Sequence, residues 1–326
     1  MKKIFITGGH FAPAEAVIQE LLRRGGWEIY YIGRKHSIEG DQALALEYIE
    51  IQKLPTIKYL PITAGRIQRK FFINIGQSIA AFLKIFIGFW QSVIFIGKYR
   101  PDIVLSFGGY VAVPVATMAW LFGVPVIHHE QVLVLDYPGK YLSSIAIKVL
   151  VSHKELLPQN PNSKWFLVGN TLRPEIFESH FTSELSKLRD LKTKLKLPII
   201  YITGGNLGSH AINTVVLGNL KDILDQTLVI WQTGDSQEFQ DFDKIIKKIN
   251  KLPSVYKERV LVKKFISGLE IGVTYELSDL VVGRSGANTI FELTALKKPA
   301  ILILISWFLD IEPLFNASTL ERLGLA

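Results

Sequence analysis

Short apolar runs rich in β-branched residues alternate along the chain with longer stretches of helical periodicity. In the first half, the pattern predicts a helix near residues 14–24 and strands near residues 4–7, 28–32, 103–106 and 124–128. Such alternation is typical of a parallel sheet whose strands are joined by crossover helices. The first half is therefore predicted to be an α/β unit.

The same pattern starts again near residue 198. It predicts helices near residues 211–224 and 269–277, and strands near residues 198–203, 228–232, 260–265, 279–283 and 299–304. Two doubly wound halves are thus predicted, meeting in a linker around residues 170–197. Because ligands of such folds bind beyond the carboxyl ends of the strands, a cleft between the two halves is the expected site.

The segment 71–97 has the length and apolarity of a membrane-spanning helix. Its polar residues recur every seven positions, at Gln77, Lys84, Gln91 and Lys98, and form a narrow polar stripe on a helix. A spanning helix would hold Lys84 near its centre at a cost of about 3 kcal/mol. We therefore expect an amphipathic helix that is buried or faces a membrane, although a core helix with solvated basic flanks also fits.

Composition narrows the class of protein. A chain of 326 residues suits two domains, since single cores stop growing at about 250 to 300 residues. The absence of cysteine excludes disulfides, thiolate metal sites and a cysteine nucleophile. Residues 1–3 lead straight into a strand without a signal peptide, which predicts a cytoplasmic protein.

The net charge of +8 is unevenly placed. Residues 1–170 hold 18 Lys and Arg against 11 Asp and Glu, so most of the excess lies in the first half. A basic half favours an anionic partner such as a membrane surface or nucleic acid.

A turn of small residues, 284–289, follows the strand predicted at 279–283, and Glu292 lies in the helix that this turn opens. The first turn of a helix presents backbone N–H groups at the positive end of its dipole, where phosphate is favoured. Glu292 lies about 6 Å further along the helix than Asn288, which is comparable to the reach from a diphosphate to its own ribose. The segment predicts a nucleoside diphosphate site; an ordinary turn followed by a solvated glutamate also fits.

Three further strand-to-glycine turns occur, beginning at Thr7, Phe107 and Thr203, and none matches a G-x-G-x-x-G or P-loop pattern. Asp241 and Asp243 form the D-x-D pattern of metal-dependent glycosyltransferases. Residues two apart on a helix do not face each other, so we interpret this pair as a solvated face and predict no metal site there.

Taken in order, these segments resemble the MurG family of UDP-N-acetylglucosamine transferases, which belongs to glycosyltransferase family 28. The similarity covers essentially the whole chain. The matching segments are Thr7-Gly8-Gly9-His10, Ser106-Phe107-Gly108-Gly109-Tyr110-Val111, His129-Glu130-Gln131, Gly169-Asn170-Thr171-Leu172-Arg173, Gly204-Gly205-Asn206-Leu207-Gly208-Ser209 with Asn213, Phe265-Ile266, Arg284-Ser285-Gly286-Ala287 with Glu292, and Asn316-Ala317.

The resemblance implies an α/β fold of the GT-B type, with two Rossmann-like domains facing a central cleft. Residues 1–170 would form an acceptor and membrane-associating domain, and residues 171–326 a domain that binds UDP-GlcNAc. The family needs no bound metal or other cofactor and inverts the anomeric carbon. The donor-binding residues implied are Arg173, Asn206, Gly208, Ile266, Ser285, Gly286, Ala287, Asn288, Glu292, Glu312 and Asn316.

The resemblance also implies catalytic roles for His10 and Glu130, where a base must take a proton from the acceptor hydroxyl. An imidazole titrates near the working pH and suits that role, although His10 could instead only cap the following helix. His128 and His129 are strand neighbours that point to opposite faces, so they are not expected to act as a pair. The acceptor-binding residues implied are Gly9, His10, Tyr110, His129 and Gln131.

The chain departs from the family at several positions. Val132 replaces a usual asparagine, Asn206-Leu207 replaces Ser-Gln, and Pro313 replaces a glutamine expected to contact the donor sugar. Proline offers neither a side-chain donor nor an amide N–H, so Glu312 is the candidate substitute. The chain stops at Ala326, and we expect its second domain to lack the last helices and to expose an apolar sheet face.

The expected function is transfer of GlcNAc from UDP-GlcNAc to the muramyl C4 hydroxyl of undecaprenyl-linked lipid I, giving lipid II in peptidoglycan synthesis. The expected location is the cytoplasmic face of the membrane, as a peripheral protein on an anionic surface, with no nucleic acid partner. The alternatives are another GT-B lipid glycosyltransferase, a UDP-GlcNAc epimerase, or a non-catalytic nucleotide-binding membrane scaffold.

Overall fold

A computed structural model describes residues 1–36, 44–65, 75–160, 163–205 and 208–304, together with residues 314, 317, 318, 320, 321 and 324. The chain divides into two compact units, Met1–Thr171 and Leu172–Ala326. Each unit is an α/β structure with its own sheet and its own core.

The first unit has a parallel sheet, whose strand order among the described residues is β3-β2-β1-β4-β5-β6-β7. The helices are α1 Phe11–Arg24, α2 Leu46–Gln52, α3 Ile75–Tyr99, α4 Ala112–Leu121 and α5 Tyr137–Ile145, with a 3₁₀ turn at Lys154–Leu156. The strands are β1 Lys2–Thr7, β2 Trp27–Gly33, β3 Lys58–Pro61, β4 Ile103–Ser106, β5 Val126–Glu130, β6 Lys148–Val151 and β7 Trp165–Leu167.

The second unit has a parallel sheet with the strand order β10-β9-β8-β11-β12. Its helices are α6 Ser183–Leu195, α7 His210–Gly218, α8 Leu220–Gln226, α9 Asp241–Ile249, α10 Ser254–Lys257, α11 Gly268–Leu277 and α12 Ala287–Leu296, with a 3₁₀ turn at Pro174–Phe177. The strands are β8 Ile199–Thr203, β9 Leu228–Gln232, β10 Val260–Lys263, β11 Leu280–Arg284 and β12 Ala300–Ile303.

Both sheets are covered by apolar side chains on their two faces. In β1, Phe5 belongs to one buried cluster, whereas its neighbours Ile4 and Ile6 belong to the cluster on the opposite face. In β9, Ile230 and Trp231 divide in the same way. Strands buried on both faces are typical of doubly wound parallel sheets. The predicted fold class, two Rossmann-like parallel-sheet domains, is confirmed.

The strand order reverses between β1 and β4 in the first unit, and between β8 and β11 in the second. At such a reversal the loops that follow the two strands diverge and leave a crevice at the carboxyl edge of the sheet. All four glycine-containing turns that stand out in the sequence follow one of these strands.

Two sequence predictions are wrong in detail. The helix expected near residues 211–224 is two helices, because the Asn219 side chain donates to the Val215 carbonyl at 2.8 Å where α7 ends. The expected linker near residues 170–197 contains helix α6, and its residues Leu185 and Leu188 are buried in the core of the second unit.

Helix α3 turns an apolar face toward solvent. Trp90 is 68% exposed, and four neighbours at helical spacing are also exposed: Leu83, Phe86, Ile87 and Ile94. Gln91, part of the predicted polar stripe, accepts a hydrogen bond from the Thr63 N–H at 2.8 Å and so faces the protein. Among the described residues, no helix combines the length and the apolarity needed to cross a bilayer.

Leu224→Ala should lower the free energy of unfolding by about 2–5 kcal/mol, because the Leu224 side chain is 0% exposed and its loss leaves a cavity under β9. Leu269→Ala is the control, since Leu269 is 62% exposed, and it should change stability by less than about 0.5 kcal/mol. Urea unfolding of the full chain measures both, and equal effects would contradict the assignment of the core.

Candidate active site

The loop between β8 and α7 is shaped by glycine. Gly208 has φ +75°, and a Cβ atom there would overlap the Thr233 carbonyl oxygen at the end of β9. A Cβ at Gly204 would overlap the backbone of Ser209, which caps α7 by accepting from the Ile212 N–H at 3.5 Å. Only glycine lets the loop pack this closely against its neighbours. Asn206, a predicted donor-binding residue, lies outside the described residues.

The turn between β11 and α12 brings Ser285, Gly286 and Ala287 to the carboxyl edge of the sheet, beside the β8 loop. Gly286 precedes the first turn of α12 and has no side chain to cap it. Asn288 lies in that first turn. The arrangement predicted for a phosphate group, a helix start next to a glycine loop, is therefore present at the reversal of strand order.

Glu292 lies in α12 and is 7% exposed. Its Oε1 pairs with the Nε of Arg173 at 3.1 Å, and its Oε2 accepts a hydrogen bond from the Tyr275 hydroxyl at 2.8 Å. Glu292 is thus not the solvated surface residue of the alternative interpretation. Two residues predicted to bind the donor, Arg173 and Glu292, are direct neighbours.

Charge and burial act together in this cluster. Burial opposes the charge of Arg173, but Glu292 outweighs it and raises the pKa of the guanidinium. Burial raises the pKa of Tyr275, and the Glu292 charge raises it further, so the phenol stays protonated and donates its hydrogen bond. The ring of Tyr201 contacts that of Tyr275 edge-on at 5.6 Å, and burial raises the pKa of Tyr201 to about 12.

Ile266 follows β10, and its N–H donates to the Oε1 of Gln232 at 3.0 Å. Gln232 and Tyr275 were not singled out in the sequence. One signal for Gln232 was available, because Gln232-Thr233-Gly234 is a further strand-to-glycine turn. Tyr275 is a polar aromatic residue inside an apolar helix, and nothing nearby in the sequence marks it.

The interpretation of Asp241 as a solvated residue is wrong, whereas Asp243 is exposed. Asp241 is 7% exposed; its Oδ1 pairs with His210 Nδ1 at 2.8 Å and its Oδ2 accepts from Asn213 Nδ2 at 2.9 Å. The same Asn213 nitrogen donates to the Thr233 carbonyl, which Gly208 packs against. The buried Asp241 carboxylate therefore helps to hold α7 and the glycine loop in place.

In the first unit, the turns after β1 and β4 pack against each other. The Gly9 N–H donates to the Gly108 carbonyl at 3.0 Å, and a Cβ at Gly109 would approach the Gly9 nitrogen to 3.4 Å. His10 follows Gly9 at the start of α1. Its side chain makes no capping hydrogen bond, so the alternative role as a helix cap is not supported.

His10 and Glu130 lie close enough for their charges to interact. Burial lowers the pKa of His10, and the carboxylates of Glu130 and Asp136 only partly oppose that shift. Burial raises the pKa of Glu130, but the hydrogen bond and charge of His128, the Val132 N–H and the charge of His10 together hold it below its usual value. The lowered pKa values favour a neutral imidazole at His10 and a carboxylate at Glu130.

Glu130 is held firmly in place. Its Oε1 accepts from the backbone N–H groups of Gln131 and Val132, at 3.1 and 3.3 Å, and its Oε2 lies 3.4 Å from His128 Nε2. A Cβ at Gly139, in the first turn of α5, would approach Oε2 to 2.5 Å. The helix start thus lies against the carboxylate and favours its charge.

Two other residues predicted to bind the acceptor, His129 and Gln131, adjoin Glu130 in the chain. His129 is buried; its ring forms a hydrogen bond with the Gly169 carbonyl at 3.1 Å and contacts the Phe107 ring. His128, in contrast, lies against Glu130. Gln131 is buried, and within the described part of the chain its amide oxygen and nitrogen have no hydrogen-bond partner.

Tyr110 is fixed by Arg34, which sequence reasoning missed. The Arg34 Nη1 donates to the Tyr110 hydroxyl at 2.9 Å, and its guanidinium lies 5.6 Å from the ring centroid. Arg34 follows β2, whereas Tyr110 follows β4, so only the sheet topology brings them together. Glu312, Pro313 and Asn316 lie outside the described residues. Where the structure describes the chain, no group of three or more His, Asp or Glu side chains is placed to bind a metal ion.

Two domains of a known glycosyltransferase family match most of the chain. Residues 7–151 match the glycosyltransferase family 28 N-terminal domain, and residues 199–318 match the glycosyltransferase family 28 C-terminal domain. The chain belongs to glycosyltransferase family 28 and is a hexosyltransferase.

Particular relatives are similar over almost the whole chain. The UDP-N-acetylglucosamine--N-acetylmuramyl-(pentapeptide) pyrophosphoryl-undecaprenol N-acetylglucosamine transferase of Clostridium botulinum (strain Loch Maree / Type A3) is 33% identical, with 99% of this chain and 85% of the relative covered. The Bacillus cereus (strain ATCC 14579) enzyme of the same name, numbered 2, is 30% identical, with 100% and 86% covered. The crystal structure of MurG from Acinetobacter baumannii aligns with a TM-score of 0.67 at 22% identity, covering 99% of this chain and 84% of that one, and supports the same fold.

Gly208→Ala should destabilise the protein more than Gly205→Ala. Both glycines have positive φ, which costs an alanine about 1–2 kcal/mol, but a Cβ at Gly205 meets open space whereas one at Gly208 meets the Thr233 carbonyl. Urea unfolding of the two variants isolates the cost of this contact as the difference between them. Equal destabilisation would show that the loop does not pack against Thr233.

Proposed function

We propose that the chain transfers GlcNAc from UDP-GlcNAc to the C4 hydroxyl of the muramyl sugar of undecaprenyl-linked lipid I, forming lipid II. The transfer is proposed to invert the anomeric carbon and to need no bound metal. The observation that carries this proposal is the partly buried Arg173–Glu292 pair, whose carboxylate lies in α12, in a chain whose relatives bear the name of this transferase. The pair supplies a cation for a diphosphate and an acceptor for ribose hydroxyls at adjacent positions.

On the donor side, the proposed diphosphate lies between the glycine loop at Gly208 and the turn formed by Ser285, Gly286, Ala287 and Asn288. Departure of UDP develops negative charge on the leaving phosphate. The first turn of α12 and the Arg173 guanidinium are fixed partners for that charge. Glu292 is proposed to bind the ribose, the Ile266 backbone the uracil, and Asn206, with Arg173 and the Ser285 turn, the diphosphate. Glu312 is proposed to take the place of the glutamine that contacts the donor sugar, and Asn316 is a further proposed donor-binding residue.

On the acceptor side, His10 is proposed to be the general base. Because burial lowers its pKa, the imidazole is neutral at the working pH and can accept the C4 hydroxyl proton. The C4 oxygen then attacks C1 of GlcNAc as the bond from C1 to the UDP oxygen breaks. The adjacent Glu130 carboxylate stabilises the imidazolium that forms. Gly9, Tyr110, His129 and Gln131 are proposed to bind the acceptor.

Access to a lipid-linked acceptor requires the protein to reach a membrane, and we propose peripheral binding to the cytoplasmic face. The exposed apolar face of α3, which includes Trp90 and Phe86, supports this location, as does the basic charge of residues 1–170. Amphipathic helices bind an interface by combining apolar area with attraction to anionic headgroups.

Transfer should be measured with UDP-GlcNAc and a lipid I analogue across pH. Burial lowers the pKa of His10 below its ordinary value of 6.5. The wild-type kcat/KM should therefore fall on the acid side only below about pH 6.5, where the imidazole becomes protonated and no longer acts as a base. His10→Ala should lower kcat about 10²–10⁴-fold while leaving UDP affinity unchanged. His10→Gln, which keeps a polar side chain without a base, is the matched control and should be as slow.

The alternatives give different results in the same assay. UDP binding without transfer at any enzyme concentration would favour a non-catalytic scaffold. Conversion of UDP-GlcNAc without an acceptor would favour an epimerase, and transfer of a different sugar would favour another lipid glycosyltransferase. Full activity of His10→Ala would remove the proposed base.

Glu292→Ala should weaken UDP binding by about 1.5–3 kcal/mol, the range for a hydrogen bond to a charged group. Because the change also removes the partner of Arg173, calorimetry should compare UDP with 2′,3′-dideoxy-UDP, which lacks the ribose hydroxyls. The loss should be large for UDP and small for the dideoxy nucleotide. Equal losses would assign the effect to Arg173, and no loss would contradict the ribose assignment. Tyr275→Phe, which keeps the carboxylate, is the control for the altered cluster.

A further inference from the structure

Gln232 is the last residue of β9, and its side chain is buried, with 5% exposure. The amide makes hydrogen bonds to three different segments. Its Nε2 donates to the Gly205 carbonyl at 3.0 Å, and its Oε1 accepts from the Ile266 N–H at 3.0 Å and from the Tyr201 hydroxyl at 3.3 Å. One side chain thus contacts the glycine loop, the segment after β10 and a tyrosine of β8.

The chemistry of these partners requires an amide in one orientation. The two donors, Ile266 N–H and Tyr201 O–H, need an oxygen, and the Gly205 carbonyl needs a donor. An amide turned by 180° would place its NH₂ against the Ile266 N–H and its oxygen against the Gly205 carbonyl. Of the residues near glutamine in size, neither glutamate as a carboxylate nor methionine supplies both functions.

The position of Gln232 follows from the strand order. β9 lies between β8 and β10, so the end of β9 lies between the loops that follow those strands. Gly205 lies in the glycine loop, and its carbonyl also accepts the Gly208 N–H at 3.0 Å. Ile266 directly precedes Ser267, whose capping box with Glu270 starts α11. The Gln232 amide therefore connects two loop segments across the end of a strand.

These two segments hold different parts of the proposed donor. The glycine loop is assigned to the diphosphate and the Ile266 backbone to the uracil. The third hydrogen bond, from the Tyr201 hydroxyl, links Gln232 to the proposed ribose position through two further contacts. The ring of Tyr201 contacts the ring of Tyr275, and the Tyr275 hydroxyl donates to Glu292. One buried amide thus bonds directly to the peptide groups at both Gly205 and Ile266.

We propose that Gln232 is a positioning residue that sets the distance and orientation between the diphosphate and nucleobase parts of the donor site. This inference rests on the proposed function of that site. Gln232 acts through Gly205, Ile266 and Tyr201 and is not assigned a contact with the substrate.

The test compares Gln232→Met and Gln232→Glu in the full chain. Methionine has a similar length and makes none of the three hydrogen bonds, and it should weaken UDP binding about ten- to a hundredfold, the loss expected from one or two hydrogen bonds. The KM for UDP-GlcNAc should rise by a similar factor and kcat should fall less. Gln226→Met is the matched control, because Gln226 is an exposed residue at the end of α8, and it should leave both constants unchanged.

Gln232→Glu separates positioning from a purely structural role. As a carboxylate it directs an oxygen at the Gly205 carbonyl, whereas a protonated carboxyl can donate there and still accept from Ile266. UDP affinity of this variant, relative to wild type in the same buffers, should therefore improve as the pH falls from 8 toward 5. A variant that only destabilises the fold would show a lower melting temperature but wild-type UDP affinity at 10 °C.

The outcomes distinguish the two proposals. UDP binding by Gln232→Met within about twofold of wild type, or a Gln232→Glu affinity that follows wild type at every pH, would overturn the role of Gln232 and leave the proposed function intact. If Gln232→Met does not fold, the pH series of Gln232→Glu decides. Wild-type protein that neither binds UDP nor transfers a sugar would contradict the proposed function itself.

Discussion

The reversal of strand order within each parallel sheet is the constraint on which the proposed sites depend. At β1 and β4 in the first unit, and at β8 and β11 in the second, the connecting helices leave toward opposite faces of the sheet. Glycines let the turns after these strands approach neighbouring backbone, as Gly208 does at Thr233 and Gly9 does at Gly108. The same topology therefore brings the polar residues of each proposed site to the carboxyl edge of a sheet.

The proposed donor site contains a polar network whose presence stability alone does not explain. A partly buried ion pair such as that of Arg173 and Glu292 gives up hydration that offsets part of its attraction, so the pair is weak evidence for a contribution to stability. The Tyr275 hydroxyl and the Gln232 amide bring further hydrogen bonds that fix the geometry. A satisfied polar network of this kind rigidifies its surroundings and holds the groups of the proposed donor site in one arrangement.

Local patterns in the sequence were enough to predict the fold class and the turn that leads to Glu292. A strand followed by small residues and a helix is encoded within about fifteen consecutive positions, and its hydrophobic periodicity is visible without knowledge of the fold. The interpretation of Asp241 was wrong because its partners, His210 and Asn213, lie about thirty residues away on another helix. Gln232 and Arg34 were missed for the same reason, since their contacts depend on which strands are neighbours. The end of α7 at Asn219 depends on a hydrogen bond from the Asn219 side chain to the Val215 carbonyl. Hydrophobic periodicity does not detect such a bond.

The two proposed sites differ in how their polar atoms are satisfied, and this difference bears on how each would bind a ligand. In the second unit, both Glu292 oxygens already have partners, so a nucleotide bound through Glu292 as proposed would exchange existing bonds for new ones, and the net gain per contact would be small. In the first unit, the Gln131 amide and the Thr7 hydroxyl are buried and have no hydrogen-bond partner within the described residues. A buried polar group without a partner costs about 1–3 kcal/mol. The groups around Glu292, by contrast, are held in one arrangement by hydrogen bonds to Arg173 and Tyr275. We therefore expect the proposed donor site to discriminate among ligands through the geometry of its hydrogen bonds.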